Sequence, residues 1–148
     1  MSRHLVCPHC AAVNRLPEER LQQPGADGAV CGKCKGTLFT GAPVEVDAAG
    51  FDLHRRRSEV PVLVDFWAPW CGPCRTMGPN FAQAAGVLEP AVRLLKVNTE
   101  QEQQLAGALG IRSIPTLALY VGGQEVARQA GAMDAGNIVR WVQANLPR

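Results

Sequence analysis

The residues of this 148-residue sequence best suited to chemistry are its six cysteines, and all six fall in Cys-x-x-Cys pairs, at 7/10, 31/34 and 71/74. Their surroundings divide the pairs into two kinds. Trp70-Cys71-Gly72-Pro73-Cys74 comes directly after Val60 to Trp67, a nearly continuous apolar run that reads as a strand buried on both faces. It opens a segment, from about Pro73 to Leu88, that reads as a helix. A cysteine at that junction meets the unpaired N–H groups and positive dipole end of the helix, which favour thiolate over thiol. Thiol–disulfide exchange needs that thiolate. Cys71 is therefore the expected nucleophile, exposed at the helix tip. Pro73 suits a first helical turn because its missing N–H is not needed there. Cys74, one turn on, is placed to attack the mixed disulfide that Cys71 forms.

The outer pairs lack a buried strand and a preceding tryptophan. Cys7-Pro8-His9-Cys10 could be a second redox pair, but Cys31-Gly32-Lys33-Cys34 matches it twenty residues later. Cys-x2-Cys-x20-Cys-x2-Cys is four-thiolate zinc spacing. Cys7, Cys10, Cys31 and Cys34 are thus the expected ligands of one Zn2+, with Gly32 and Gly36 easing the knuckle turns. His9 is not needed to complete four ligands. His4 and His54 are expected on the solvated surface. A segment this short has little core of its own, so the metal is expected to supply its stability. No organic cofactor is implied.

The elements that must hold these groups divide the chain into a metal module over 1–40, a linker over 41–43 and a second domain over 44–148. Gln23-Pro24-Gly25 and Asp27-Gly28 signal turns inside the module. From residue 44 the pattern predicts a short strand at Val44 to Val46, a helix at Phe51 to Ser58, and the strand and helix flanking Cys71. Pro79 is expected to kink that helix. A strand at Val92 to Val97, a helix at Glu100 to Leu109, and strands at Thr116 to Val121 and Glu125 to Gln129 follow. Gly122-Gly123-Gln124 signals a hairpin between the last two. A final helix begins near Asp134, with Ile138, Trp141, Val142 and Leu146 at helical spacing. This order implies an α/β domain with a mixed sheet covered on both faces.

VDFWAPWCGPCR at 64–75 resembles the active-site segment of the thioredoxin family. Ile111-Arg112-Ser113-Ile114-Pro115-Thr116 resembles its cis-proline loop, and Gly122-Gly123 and Gly131-Ala132 match further landmarks. CPHC, NRLP and CGKC upstream are similar to the zinc-containing branch of that family, so the likeness spans nearly the whole chain. It implies the thioredoxin fold, a central mixed β-sheet flanked by helices, with an N-terminal zinc-ribbon-like module. It implies a role for Asp65 in moving protons to and from Cys74, with Lys96 beside it; burial alone should raise the pKa of a carboxyl in so apolar a strand. It implies a cis bond before Pro115, and a flat apolar substrate surface of Trp70, Gly72, Pro73, Ile114, Pro115, Gly131 and Ala132. The backbone at Ile114 would pair with an extended substrate chain. Trp67 would support the site from the core. The implied activity is protein-disulfide reduction, recycled by NADPH through thioredoxin reductase.

A formal net charge of +2 and a single aromatic residue, Phe39, in the module make nucleic acid an unexpected partner. No apolar run is long enough to span a membrane, and the start lacks a secretory-signal pattern. A reducing, cytoplasmic setting is therefore expected, where cysteines serve as ligands or catalysts, and a monomer is the default. Two other readings compete with the reductase: a zinc-based oxidant-sensing switch, in which oxidised thiolates release the metal, and a zinc-ribbon interaction module with secondary redox activity.

Overall fold

The computed structural model describes residues 1–22 and 29–147, so the turn signals expected at 23–28 lie outside the described residues. The chain opens with an antiparallel hairpin, β1 (Ser2–Val6) and β2 (Val13–Pro17), followed by a 3-10 turn at Glu18–Gln22. The sequence pattern missed this hairpin because polar residues take half of its strand positions without a regular alternation. Only Leu5, Val6 and Leu16 turn inward, and they do so around sulfur rather than around a sheet. Leu5, Cys7, Leu16, Leu21, Ala29, Cys31, Leu38 and Phe39 form a small cluster of their own. Val60 joins that cluster, so the residue expected to start a buried strand instead packs against the hairpin module, and the strand itself begins at Val62.

The remaining elements are β3 (Val44–Glu45), α1 (Ala48–Arg57), β4 (Val62–Trp67), α2 (Gly72–Leu88), β5 (Arg93–Asn98), α3 (Gln103–Ala108), β6 (Thr116–Val121), β7 (Gln124–Ala130) and α4 (Ala135–Asn145). They build one five-stranded mixed sheet in the order β3-β5-β4-β6-β7, with β3, β5 and β4 parallel and β6 and β7 antiparallel. Alternation along β4 assigns its two faces. Leu63 packs with Met77, Phe81 and Leu88 of α2 and Ile138 and Val142 of α4. Val62, Val64 and Phe66 pack with Phe51 of α1, with Leu105 of α3 at the edge. Each side chain so buried contributes roughly 1.5–3 kcal/mol, which makes β4 a rigid base for the loop that follows it.

Local chemistry sets the boundaries. Asp47 caps α1 and Asp134 caps α4, each carboxylate accepting a backbone N–H three residues on, at 2.8 Å. The third helix starts later than the expected Glu100, because Asn98 Oδ1 accepts the N–H groups of Glu100 and Gln101 and holds them in a turn. Gly122 and Gly123 both have positive φ, 60° and 83°, as a tight hairpin turn between twisted strands requires. The strand after them begins at Gln124, one residue earlier than expected. The helix α2 runs through Pro79, which takes the N–H away from the Arg75 carbonyl. Among the described residues no helix is long and apolar enough to cross a membrane.

Candidate functional site

Strand β4 ends at Trp67, and four residues later Cys71 is the N-cap of α2. Its Sγ accepts the Cys74 N–H at 3.2 Å, one of the helix donors that have no partner within the helix. Cys71 and Cys74 are joined as a disulfide. Cys71 is only 5 % exposed, against 67 % for Trp70 beside it. The expectation of an exposed nucleophile is thus corrected: the sulfur is tucked beside the loop before β6, 3.7 Å from the Ile114 carbonyl oxygen, in a cluster with Ala68, Trp67 and Ile114. The Ile114–Pro115 bond is cis. Pro115 is buried, and its carbonyl accepts the Gly131 N–H at 2.9 Å, tying this loop to the segment that leads into α4. Gly72, Pro73, Gly131 and Ala132 are exposed and Ile114 is half-buried.

Asp65 lies in the middle of β4, fully buried, and neither carboxylate oxygen has a hydrogen-bond partner among the described residues. Burial pushes its pKa up to about 7; the Lys96 cation opposes the rise and the Glu45 carboxylate adds to it. Asp65 pairs with Lys96 across β4 and β5, and Lys96 pairs with Glu45 across β5 and β3. The three charged residues therefore form one row over three strands. Trp67 closes that row: Lys96 Nζ lies 4.5 Å from its ring centroid, and its indole N–H donates to Glu45 Oε2 at 3.2 Å. Burial raises the Glu45 carboxyl as well. Sequence reasoning missed Glu45. Its strand is two residues long, too short for alternation to reveal the partner beside it.

The second group of cysteines gathers at the other end of the hairpin. Cys7, Cys10, Cys31 and Cys34 place their sulfurs within 4.8 Å of one another. Cys7 and Cys34 are 3.7 Å apart and Cys10 and Cys31 are 3.6 Å apart. A tetrahedral centre with Zn–S bonds of about 2.3 Å gives S···S separations of about 3.8 Å, so the cluster has the right size. Two near-identical knuckles build it. In the first, the Cys7 Sγ accepts the His9 N–H and the Cys7 carbonyl accepts the Ala11 N–H; in the second, Cys31 does the same with Lys33 and Lys35. The left-handed residues are Ala11 and Lys35, with φ of 67° and 66°. The expectation that Gly32 and Gly36 ease the turns is corrected accordingly. Gly36 is needed for space, because a Cβ there would meet the His9 ring at 2.6 Å. His9 instead places Nε2 2.7 Å from the Thr37 carbonyl oxygen.

Asn14 binds the second knuckle twice, accepting the Gly32 N–H at 2.8 Å and donating to Cys31 Sγ at 3.4 Å. Backbone N–H of Cys34 and the Asn14 amide bring the Cys31 thiol down to about 5. Cys34 behaves oppositely. The Gly36 N–H favours its thiolate, but burial and the neighbouring sulfurs outweigh it and push the thiol up to about 11. Four thiolates packed this closely resist ionising together, and a divalent cation is what lets them do so.

The other two histidines part ways. His4 is exposed, as expected, with Nδ1 2.8 Å from Glu59 Oε1. His54, expected on the surface, is buried in α1, and its Nδ1 has no partner among the described residues. Burial, with the Arg93 cation nearby, lowers its pKa to about 4.

A five-stranded mixed sheet carrying a helix-capping cysteine pair opposite a cis-proline defines a thiol–disulfide oxidoreductase. Residues 42–144 match the thioredoxin family model, and this chain belongs to the thioredoxin family. Residues 6–36 match the N-terminal domain of thioredoxin 2, a zinc ribbon. Thioredoxin C-3 of Corynebacterium nephridii is 41 % identical over 96 % of this chain and 94 % of its own length. A thioredoxin of Synechocystis is 46 % identical over 71 % of this chain and 98 % of its own. Among solved structures, a mutant thioredoxin from Halobacterium salinarum superposes with a TM-score of 0.67 at 28 % identity, over 76 % of this chain and 98 % of that one. The architecture is thus the thioredoxin fold with an added N-terminal hairpin and four-cysteine cluster, and Cys71 and Cys74 are the pair that carries thiol–disulfide exchange.

Proposed function

We propose that this chain is a protein-disulfide reductase of the cytoplasm that receives electrons from NADPH through thioredoxin reductase. The observation that carries the proposal is the placement of Cys71 Sγ at the N-cap of α2, receiving the Cys74 N–H beside the Ile114 carbonyl. In the reduced protein the Cys71 thiolate attacks one sulfur of a substrate disulfide. A mixed disulfide forms and the other substrate sulfur leaves as a thiolate. Cys74 then attacks Cys71 Sγ, which releases the second substrate thiol and closes the Cys71–Cys74 bond. Two electrons have passed to the substrate, and the reductase returns them.

Asp65 serves as the group that takes the proton from Cys74 as it becomes a nucleophile; a carboxyl titrating near 7 is suited to that exchange at neutral pH. Lys96 and Trp67 hold the polar row in which Asp65 stands. Trp70, Gly72, Pro73, Ile114, Pro115, Gly131 and Ala132 receive the substrate chain, with the Ile114 backbone pairing to it as an added strand.

The four cysteines at 7, 10, 31 and 34 hold one Zn2+, which supplies a structural cross-link and no redox step. The module spans residues 1–40 and the redox domain 44–148. An NADPH-coupled insulin reduction assay with thioredoxin reductase, run beside metal analysis of the same sample, tests the reading. Turnover with about one zinc per chain is expected. A metal-loaded protein that leaves insulin disulfides intact would contradict it.

A further inference from the structure

Arg93 is the largest fully buried side chain among the described residues, at 1 % exposed, and the redox chemistry makes no use of it. It is the first residue of β5, paired with Val62 of β4, so its backbone belongs to the central sheet. Its guanidinium does not. Nη2 donates to the Leu38 carbonyl at 2.8 Å and reaches the Val6 carbonyl at 3.5 Å. The ring of Phe39 lies under the guanidinium carbon at 4.5 Å. Nη1 donates to Glu89 at 3.3 Å, and Glu89 in turn accepts the Gly41 N–H at 2.9 Å.

Every partner except Glu89 lies in the N-terminal segment. Val6 directly precedes Cys7, and Leu38 and Phe39 follow the second knuckle by a few residues. Burying an arginine in this way costs several kcal/mol unless its geometry is fully used. A flat fork whose two terminal nitrogens meet two carbonyls and a carboxylate over a ring face uses most of that geometry, with Nε alone lacking a partner among the described residues, and an ammonium cannot.

We propose that Arg93 is a positioning residue for the four-cysteine metal centre: from the central sheet it clamps the chain on both sides of the two knuckles, and so keeps the ligands closed on the metal. Glu89 fixes the fork and, through Gly41, the exit of the module. The clamp rests on reading the four cysteines as a metal site. It adds that metal retention depends on a residue fifty-nine positions beyond the last ligand, in the other part of the chain.

The test is zinc release from the full-length, zinc-loaded protein to a colorimetric chelator in excess. Arg93→Lys keeps the charge and loses the fork. The double variant Arg93→Met with Glu89→Gln removes both charges without leaving a lone buried carboxylate. Leu94→Ala, in the apolar cluster under α2, is the control for simple loss of stability. Both Arg93 variants should release zinc at least tenfold faster than wild type at 25 °C, and Leu94→Ala at close to the wild-type rate. The cobalt-loaded variants should show altered charge-transfer and d–d absorption, a signature that a general stability loss would not give. Release from Arg93→Lys at the wild-type rate would overturn the clamp, whether or not the double variant folds. Equal acceleration in Leu94→Ala would overturn it too, by reducing Arg93 to one more stabilising contact. A wild-type protein that takes up neither zinc nor cobalt would overturn the metal reading itself.

Discussion

Three Cys-x-x-Cys pairs in one chain reach two different ends. At 71/74 the second cysteine enters a 17-residue helix, and the N–H that reaches Cys71 Sγ comes from three residues on. At 7/10 and 31/34 the chain turns back through a left-handed residue immediately after the second cysteine, and the N–H groups that reach Cys7 and Cys31 come from two residues on. In the helix the two sulfurs find only each other. In the knuckles each pair is left facing outward and meets the other pair across 3.6 and 3.7 Å. The motif therefore does not choose between electron transfer and metal binding. The conformation of the next residue does, together with the presence of a second pair.

The contrast is open to attack at both ends. The largest effect is expected at the dithiol. Cys71→Ser should lower insulin reduction by at least about 10³-fold, since no other group supplies the nucleophile, while zinc content stays at the wild-type level; steady-state turnover and metal analysis check it. Cys31→Ser should do the reverse. It should lose the metal and lower the melting temperature by about 10 °C, because metal binding and module folding are one event, yet keep disulfide exchange within about threefold. A variant that loses both properties together would show that the two sites are not separable.

Asp65 sharpens the dithiol side. Its carboxyl, raised by burial to about 7, holds a proton in the folded state that the unfolded chain has already lost above pH 4. The cost of burying it is absent below about pH 4, grows as pH rises, and is complete above about pH 7. Asp65→Asn should thus stabilise the protein by about 2–4 kcal/mol at pH 8 and scarcely at pH 3.5, in urea unfolding. It should also slow insulin reduction by about tenfold or more. Stabilisation equal at both pH values would remove the buried-acid reading.

His54 sharpens the module side with the opposite sign and the smallest effect. Its imidazole is kept neutral by burial, titrating at about 4 in the folded protein. Its contribution is full above about pH 6.5 and is lost as the pH falls toward 4. His54→Leu should reduce the acid-induced loss of stability between pH 7 and 4.5 by about 1–2 kcal/mol, measured by urea unfolding at the two values.

Most of the redox domain was legible in the sequence because its signals are local. The apolar run of β4, the glycine pair of the hairpin and the capping Asp134 each act within a few residues, whereas the cap at Asp47 went unread and α1 begins at Ala48 rather than the expected Phe51. The buried strand and tryptophan before Cys71, and the twenty-residue spacing between the other two pairs, separate the redox pair from the four clustered thiols. What stayed hidden depends on contacts between distant segments. His54 reads as a surface residue in a helix rich in arginine, yet it is buried, on the same side as Arg93 of β5. Arg93 drew no expectation beyond its place in the strand expected at Val92 to Val97, and its burial follows from the distant Leu38 and Val6 carbonyls. Glu45 sits beside Lys96 because its short strand, itself legible, pairs with β5, and nothing local names that partner. Cys71 reads as exposed from its helix position, and the Ile114 loop that covers it comes forty-three residues later.

The claim on which the redox chemistry depends is that the tip of α2 makes Cys71 a ready thiolate. Alkylation of the reduced, zinc-loaded protein by iodoacetamide across pH 5–9, with the modified residue mapped by mass spectrometry, tests it directly. Cys71 should react first, with an apparent pKa below the roughly 8.5 of free cysteine. Reaction at Cys74 first, or at Cys71 with the pH dependence of free cysteine, would contradict it.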